Sequence, residues 1–203
     1  MKKLNLYFFI IIGILSCADK NSLFEELSPL RTGVKFSNDL AYDETFNIFT
    51  YRNYYNGGGV GLGDINNDGL IDIFFNSNLE KNRLYLNKGD FKFEDITDFA
   101  GVAGTKSWST GVSIADINAD GFLDIYVSNS GDIKGDNKQN ELYINNGDLT
   151  FTEMAADYGL DDTGYSTHAA FFDYDRDGDL DCCLLYTSPS PRDQRGAGVA
   201  GCG

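Results

Sequence analysis

Apolar and polar positions alternate in short runs through much of the chain after residue 58. Ile71-Asp-Ile-Phe-Phe75 and Leu123-Asp-Ile-Tyr-Val127 are rich in β-branched and aromatic residues, which favours strands. Phe91-Lys-Phe-Glu94 and Leu149-Thr-Phe-Thr152 alternate with the period of a strand that has one buried face. Glycine- and asparagine-rich turns separate these runs, and proline is scarce. The pattern predicts an all-β protein of short antiparallel strands.

An acidic nine-residue loop precedes or overlaps these runs and occurs three times. We name the copies the first loop (Asp64 to Asp72), the second loop (Asp116 to Asp124) and the third loop (Asp173 to Asp181). Glycine occupies position 6 of each copy, and side-chain oxygens occupy positions 1, 3, 5 and 9. Because Ca²⁺ takes about six to eight oxygen ligands in a flexible shell, such loops suit it. The predicted side-chain ligands are Asp64, Asn66, Asp68, Asp72, Asp116, Asn118, Asp120, Asp124, Asp173, Asp175, Asp177 and Asp181.

Other interpretations of the loops are weaker. An EF-hand requires a glutamate at position 12, where this chain has Phe75, Val127 and Leu184. A dockerin-type loop leads into a helix, whereas these loops lead into strand-like runs. The remaining alternative is a metal-free turn of aspartate, asparagine and glycine, and three copies in one register argue against it. We therefore expect strand–loop–strand hairpins in which the aspartate at position 9 stands at the start of the second strand.

The loops belong to a longer repeat. The first loop begins 52 residues before the second, which begins 57 residues before the third. Asn82-Arg-Leu-Tyr-Leu-Asn-Lys-Gly-Asp90 also matches Asn140-Glu-Leu-Tyr-Ile-Asn-Asn-Gly-Asp148. Each unit reads as four antiparallel strands, which is the size of a propeller blade. The sequence predicts a partial β-propeller of four-stranded antiparallel blades with calcium-binding loops.

These repeats resemble the FG-GAP/VCBS family of integrin-like β-propellers, over residues 28–181. The segment from Tyr55-Asn-Gly-Gly-Gly59 to Asp181 is similar to its bacterial branch associated with the ASPIC/UnbV, cartilage-acidic-protein-like domain. The resemblance implies that the side chains at positions 1, 3, 5 and 9 hold Ca²⁺ together with the carbonyl oxygen of position 7. That position is occupied by Leu70, Phe122 and Asp179. The Phe-Gly and Gly-Ala-Pro pairs of the family name are absent, which does not affect the metal ligands.

The repeats divide the chain into segments. We expect N-terminal strands in residues 28–58, where 33–37 and 46–51 alternate, then repeat 1 in 59–107, repeat 2 in 108–164 and the start of repeat 3 in 165–182. Residues 183–203 depart from the repeat pattern and resemble translated transposase-adapter sequence. They are predicted to be a non-native tail, and a genuine proline- and glycine-rich linker is the alternative.

The N-terminus reads as an export signal. Lys2 and Lys3 precede a nearly continuous apolar run that is too short to span a bilayer. The run ends at Ile14-Leu-Ser-Cys17, which resembles a bacterial lipobox. We predict a signal peptide over residues 1–16, lipidation of Cys17 and a tether over 17–27, on a protein anchored to the bacterial envelope at the outer membrane. An ordinary signal peptide and a buried cysteine are the alternatives.

The net charge and the motifs of the sequence limit the functions that we expect of this chain. The 203 residues carry a formal net charge of −15, which argues against binding nucleic acid or an anionic membrane surface. His168 is the single histidine, and no phosphate loop, nucleophile elbow or cofactor fingerprint is present. We expect no enzymatic activity but a binding or scaffold module for a protein or glycan ligand, attached to the membrane by its lipid alone. An accessory propeller of a secreted enzyme is the alternative.

Overall fold

The structure is a computed structural model that describes residues 23–51, 53–131 and 137–186. The predicted signal peptide, Cys17, the first part of the tether and residues 187–203 lie outside these ranges. Two single-turn helices occur in the described part, α1 (Pro29–Thr32) and α2 (Thr97–Ala100). Strands form the rest of the regular structure.

The strands form three antiparallel sheets in the described part of the chain. Within each sheet the strands lie side by side in chain order. The first sheet has β1–β4, the second β5–β8 and the third β9 and β10. Their bounds are β1 Val60–Gly63, β2 Asp72–Phe75, β3 Arg83–Asn87, β4 Phe93–Asp95, β5 Ser109–Ala115, β6 Asp124–Asn129, β7 Glu141–Asn145, β8 Phe151–Glu153, β9 Ser166–Phe172 and β10 Asp181–Tyr186.

These sheets confirm the prediction of an all-β fold built from four-stranded antiparallel units. Each acidic loop connects the first two strands of a sheet, so the predicted hairpins are present. The position-9 residues Asp72, Asp124 and Asp181 are the first residues of β2, β6 and β10. The last of these strands extends to Tyr186, past the boundary predicted after residue 182, and its register with β9 shifts between Leu185 and Tyr186.

The second sheet is covered on both faces. Ile125 and Val127 of β6 lie in a core shared with Phe74 and Leu84 of the first sheet. Tyr126, between them in sequence, packs in a second core with Ala169 of the third sheet. Because successive side chains of a strand point to opposite faces, one short strand contributes to both cores. The repeats therefore bury their apolar faces against each other.

The first strands of neighbouring sheets approach closely. A Cβ atom on Gly111 of β5 would overlap the carbonyl oxygen of Thr167 and lie 2.9 Å from the Cα of His168. A Cβ atom on Gly59 would lie 3.0 Å from the backbone nitrogen of Val112. Glycine permits this approach because it has no side chain. Since β1, β5 and β9 lie side by side with the same direction, the three loops that follow them emerge at one end of the sheets.

The N-terminal segment is not a pair of strands, so that prediction is wrong. Residues 33–37 lie against the face of the first sheet, where Phe36 stacks on Phe75 with ring centroids 4.7 Å apart. The backbone N–H of Lys35 donates to the Tyr85 hydroxyl at 3.2 Å, so this segment pairs with side chains and not with a strand edge. Alternating apolar residues are equally suited to covering a sheet face.

The side chain of Asn47 closes the second of these segments, residues 46–51, into a turn. The Asn47 amide donates to the carbonyl of Asp43 at 2.9 Å and accepts from the N–H of Phe49 at 2.9 Å. Such local bonds compete with a strand ladder. The turn brings Phe46 and Tyr51 onto Trp108, with ring centroids 5.0 and 4.8 Å away. Trp108 is buried, and these ring partners come from the N-terminal segment.

The close approach of first strands predicts a position-specific cost for added methyl groups. Gly111→Ala should lower the free energy of unfolding by about 3 kcal/mol, because the new Cβ meets fixed backbone of β9. Gly61→Ala is the matched control, since its Cβ meets side-chain atoms and no backbone, Cδ1 of Ile114 at 2.7 Å and Cγ2 of Val112 at 3.3 Å, and it should cost about 1 kcal/mol. Urea unfolding of both variants measures the difference. Equal costs would contradict the packing of β5 on β9.

Candidate metal sites

The first two loops share one hydrogen-bond pattern. Asp64 accepts the backbone N–H groups of Asp68 at 3.0 Å and Gly69 at 2.7 Å. Asp116 accepts those of Asp120 at 3.0 Å and Gly121 at 2.9 Å. The position-1 carboxylate therefore draws positions 5 and 6 of each loop back towards the start of the loop.

The loop backbone turns at two left-handed residues in each copy. Position 6 is glycine with φ of 84°, 92° and 100° in the three loops, as expected for a tight turn. Position 4 is also left-handed, at Asn67 (58°), Ala119 (58°) and Arg176 (67°). Only the asparagine belongs to a residue type that favours this conformation. The second turn was therefore not evident from the sequence.

The aspartate at position 9 closes each of the first two loops from a buried position. Asp72 accepts the N–H of Ile65 at 3.0 Å and that of Asn87 at 2.7 Å. Asp124 accepts the N–H of Ile117 at 2.8 Å and that of Asn145 at 2.9 Å. Burial raises the pKa of both carboxyls, and these hydrogen bonds act in the opposite direction.

Two asparagines that sequence reasoning did not assign to the site hold these aspartates. Asn87 and Asn145 end the third strand of their sheets, next to the position-9 carboxylate. The Asn87 amide also donates to the carbonyl of Ile71 at 2.8 Å, and the Asn145 amide to that of Leu123 at 3.1 Å. Repetition of the asparagine in Leu-Tyr-Leu-Asn87 and Leu-Tyr-Ile-Asn145 was the signal that could have indicated them.

The third loop is more acidic and folds differently. Ligand oxygens of Asp173, Asp175 and Asp177 lie within 4.8 Å of one another. Asp173 accepts the N–H of Arg176, at position 4, at 2.6 Å. In the other loops the position-1 carboxylate accepts the N–H of position 5 instead. Asp181 accepts the N–H of Tyr174 at 2.8 Å, as its counterparts do. A hydrogen bond with Asp177 raises the pKa of Asp179, which reflects the crowding of acidic groups.

Position 7 donates its backbone N–H to the position-5 carboxylate in all three loops. The distances are 2.8 Å for Leu70, 2.8 Å for Phe122 and 3.1 Å for Asp179. The role of their carbonyl oxygens as metal ligands stays a prediction. In the first two loops, hydrogen bonds therefore join position 1 to position 5 and position 9 to position 2, and Asn66 and Asn118 donate to position 5 at 3.0 and 2.8 Å. Among the described residues, only the third loop brings three carboxylates within 4.8 Å of one another.

The donor set fits a hard divalent cation. The candidate side-chain donors of each loop are carboxylate or amide oxygens, and no nitrogen or sulfur donor is among them. Crowded carboxylates repel each other, and a divalent ion between them removes that repulsion. Calcium accepts such oxygen shells with loose geometry, whereas magnesium demands a stricter octahedron.

The sheets and their loops define a class of protein: an all-β repeat protein in which an aspartate-rich loop joins the first two strands of each four-stranded unit. A family model described as FG-GAP-like repeat matches residues 64–127 and 130–184, more than half of the chain. The chain belongs to this family, which confirms the resemblance drawn from the loops.

Curated relatives agree with that assignment. Cartilage acidic protein 1 of Xenopus tropicalis is 30% identical over 159 residues, which cover 76% of this chain and 23% of the relative. Cartilage acidic protein 1 of Homo sapiens is 34% identical over 104 residues, covering 51% of this chain and 15% of the relative. The chain thus spans less than a quarter of these relatives. Within the described ranges, no helix is long and apolar enough to cross a membrane.

Position 9 should contribute to folding even without metal, unlike position 5. Asp124→Ala leaves the N–H groups of Ile117 and Asn145 without their acceptor and should cost about 3 kcal/mol. Asp120 is exposed, so Asp120→Ala should cost less than about 1 kcal/mol. Urea unfolding in excess chelator measures both, with Asp124→Asn as an isosteric control that keeps one oxygen acceptor. Equal losses for the two alanine variants would contradict a structural role for position 9.

Proposed function

We propose that this chain is part of an exported calcium-binding β-propeller that acts as a binding or scaffold module at the bacterial cell envelope. The observation that carries the proposal is the repeated geometry of the first two loops. Each draws an aspartate from position 1 and a buried aspartate from position 9 around the same backbone turn. The same hydrogen-bond arrangement in two repeats supports one kind of ligand for both loops.

Electrostatics supports a divalent cation as that ligand. Three carboxylates belong to the predicted ligands of each of the first two loops, and five lie in the third. No lysine or arginine forms an ion pair with any of these aspartates among the described residues. A bound Ca²⁺ would supply the missing positive charge and fix the loops. The resident ion would therefore stabilise one end of every sheet.

Sheet stacking supports the propeller. Neighbouring sheets pack face to face with their first strands side by side, which is the relation between blades around an axis. Such an array holds its loops at fixed positions on a rigid frame, and loops on rigid frames are common binding surfaces. A protein or glycan ligand is the proposed partner. Family membership and the likeness to cartilage acidic protein 1 are consistent with a non-catalytic repeat domain.

Calcium should stabilise the protein through these loops. A ligand at 100 times its dissociation constant adds about 2.7 kcal/mol per site when it binds only the native state. We expect the melting temperature to rise with Ca²⁺ and fall with chelator, and Asp120→Ala to lower the calcium stoichiometry by one. Asp157→Ala, which removes an exposed carboxylate outside the loops, is the control and should leave the stoichiometry unchanged. A melt that is the same in Ca²⁺ and in excess chelator would refute calcium binding.

The predicted lipid anchor can be tested separately. Cys17 should carry acyl chains in a bacterial host, so the protein should partition into detergent and sediment with outer membranes. Cys17→Ser should release the protein into the soluble fraction or leave the signal uncleaved. Mass spectrometry of the mature N-terminus measures the modification. A soluble wild-type protein that has been cleaved at another position would contradict lipidation.

A further inference from the structure

Two side-chain hydrogen bonds join the first loop to the second sheet, one to the second loop itself and one to the end of β7. Asn67, at position 4 of the first loop, donates its amide to the carbonyl oxygen of Gly121 in the second loop at 3.0 Å. Asn145, at the end of β7, donates its amide to the carbonyl oxygen of Ile65 in the first loop at 2.8 Å. Both bonds cross from one sheet to the next. The loops are therefore in direct mechanical contact.

The bond from Asn145 completes a continuous path between the two buried aspartates. Asp72 accepts the N–H of Ile65 at 3.0 Å, and the carbonyl of Ile65 accepts the amide of Asn145 at 2.8 Å. The backbone N–H of Asn145 in turn donates to Asp124 at 2.9 Å. Asn145 is only 3% exposed, so water does not compete easily for these bonds. Each closing carboxylate is thus tied to the other through two residues, Ile65 and Asn145.

The contact is specific to this pair of loops. Asn87 is the counterpart of Asn145 in the first sheet, and its amide bonds only Ile71 of its own sheet. Ala119 is the counterpart of Asn67 in the second loop; it has the same φ of 58° but no amide to donate. Within the described ranges, no side-chain hydrogen bond joins the second loop to the third.

We propose that the first and second loops bind calcium with positive coupling, transmitted through Asn67 and Asn145, while the third loop binds independently. The inference rests on the proposed calcium function. An ion in one loop draws its carboxylates together and holds the backbone to which the other loop is bonded. The second ion then has less chain to order, which strengthens its binding. Repulsion between the ions acts against this coupling but is screened by salt.

Site-specific calcium titrations at high potassium chloride test the proposal. The amides of Gly69, Gly121 and Gly178, observed by NMR after glycine-selective ¹⁵N labelling, report on the three loops one by one. Asp120→Ala should abolish calcium binding by the second loop. The free calcium concentration at which the Gly69 signal is half-shifted should then rise about fivefold or more. Asp68→Ala should abolish calcium binding by the first loop and shift the Gly121 midpoint by the same factor, because coupling between sites is reciprocal. The Gly178 midpoint should not move.

Variants of the two asparagines test the path. Asn67→Ala installs the residue that the second loop already carries at the same left-handed position, so it should fold, and it should reduce the coupling factor severalfold. Asn145→Ser should reduce it further. Asn87→Ser is the matched control: it removes the same amide at the same strand end, weakens the first loop itself, and should leave the coupling factor unchanged. Each coupling factor is a ratio of two midpoints measured in the same asparagine variant, with and without the alanine substitution that abolishes the other site. A change in the calcium affinity of one loop alone therefore cancels.

The outcomes separate the coupling from the function on which it rests. If none of the loops binds calcium in the wild type, the proposed function fails. If the first and second loops bind calcium but the midpoint of each is the same whether or not the other loop can bind, calcium binding stands and the coupling is refuted. A coupling factor that survives in Asn67→Ala and in Asn145→Ser would refute the path through these residues. Should Asn145→Ser fail to fold, Asn67→Ala alone decides.

Discussion

A buried carboxylate at the start of the second strand is the interaction on which each of the first two units depends. Asp72 and Asp124 each accept one N–H from their own loop and one from the third strand of their sheet. That one side chain therefore joins loop, hairpin and third strand. Burying an ionised group is costly unless it is hydrogen-bonded, and the two backbone donors offset that cost. The half-buried carboxylate at position 1 and the exposed one at position 5 can then be arranged around it.

The same constraint relates stability to the candidate ligand. Positions 1 and 5 lie on the surface side of the loop, where their mutual repulsion acts against a tight turn, and position 9 anchors the turn to the core. A cation would therefore act on a frame that already holds its closing ligand in place. In the third loop the half-buried Asp181 keeps its bond from Tyr174, but Asp173 accepts the N–H of Arg176 at position 4, whereas position 1 of the other loops accepts those of positions 5 and 6. Similar sequences at the three loops thus do not give identical geometries.

Packing between sheets extends these local arrangements into one body. β6 supplies Ile125 and Val127 to one core and Tyr126 to the other, so the second sheet is stabilised from both sides. Gly111 lets β5 and β9 approach closely, so that the loops that follow these strands lie at the same end of the sheets. That shared end makes the hydrogen bonds from Asn67 and Asn145 possible. Contact between loops is therefore a consequence of how the sheets stack.

Much of the fold and of the candidate sites was predictable from the sequence because it is local. Strand period, the glycine at position 6 and the register of the loop oxygens follow from short-range chemistry, and they correctly placed Asp72, Asp124 and Asp181 at strand starts. The N-terminal segment was mispredicted, since alternation around Phe36 cannot distinguish a strand in a ladder from a chain lying on a sheet face. The roles of Asn67 and Asn145 were decided by the tertiary structure alone. Their partners Gly121 and Ile65 lie 54 and 80 residues away, and only the stacking of two sheets brings those carbonyl groups within hydrogen-bonding distance.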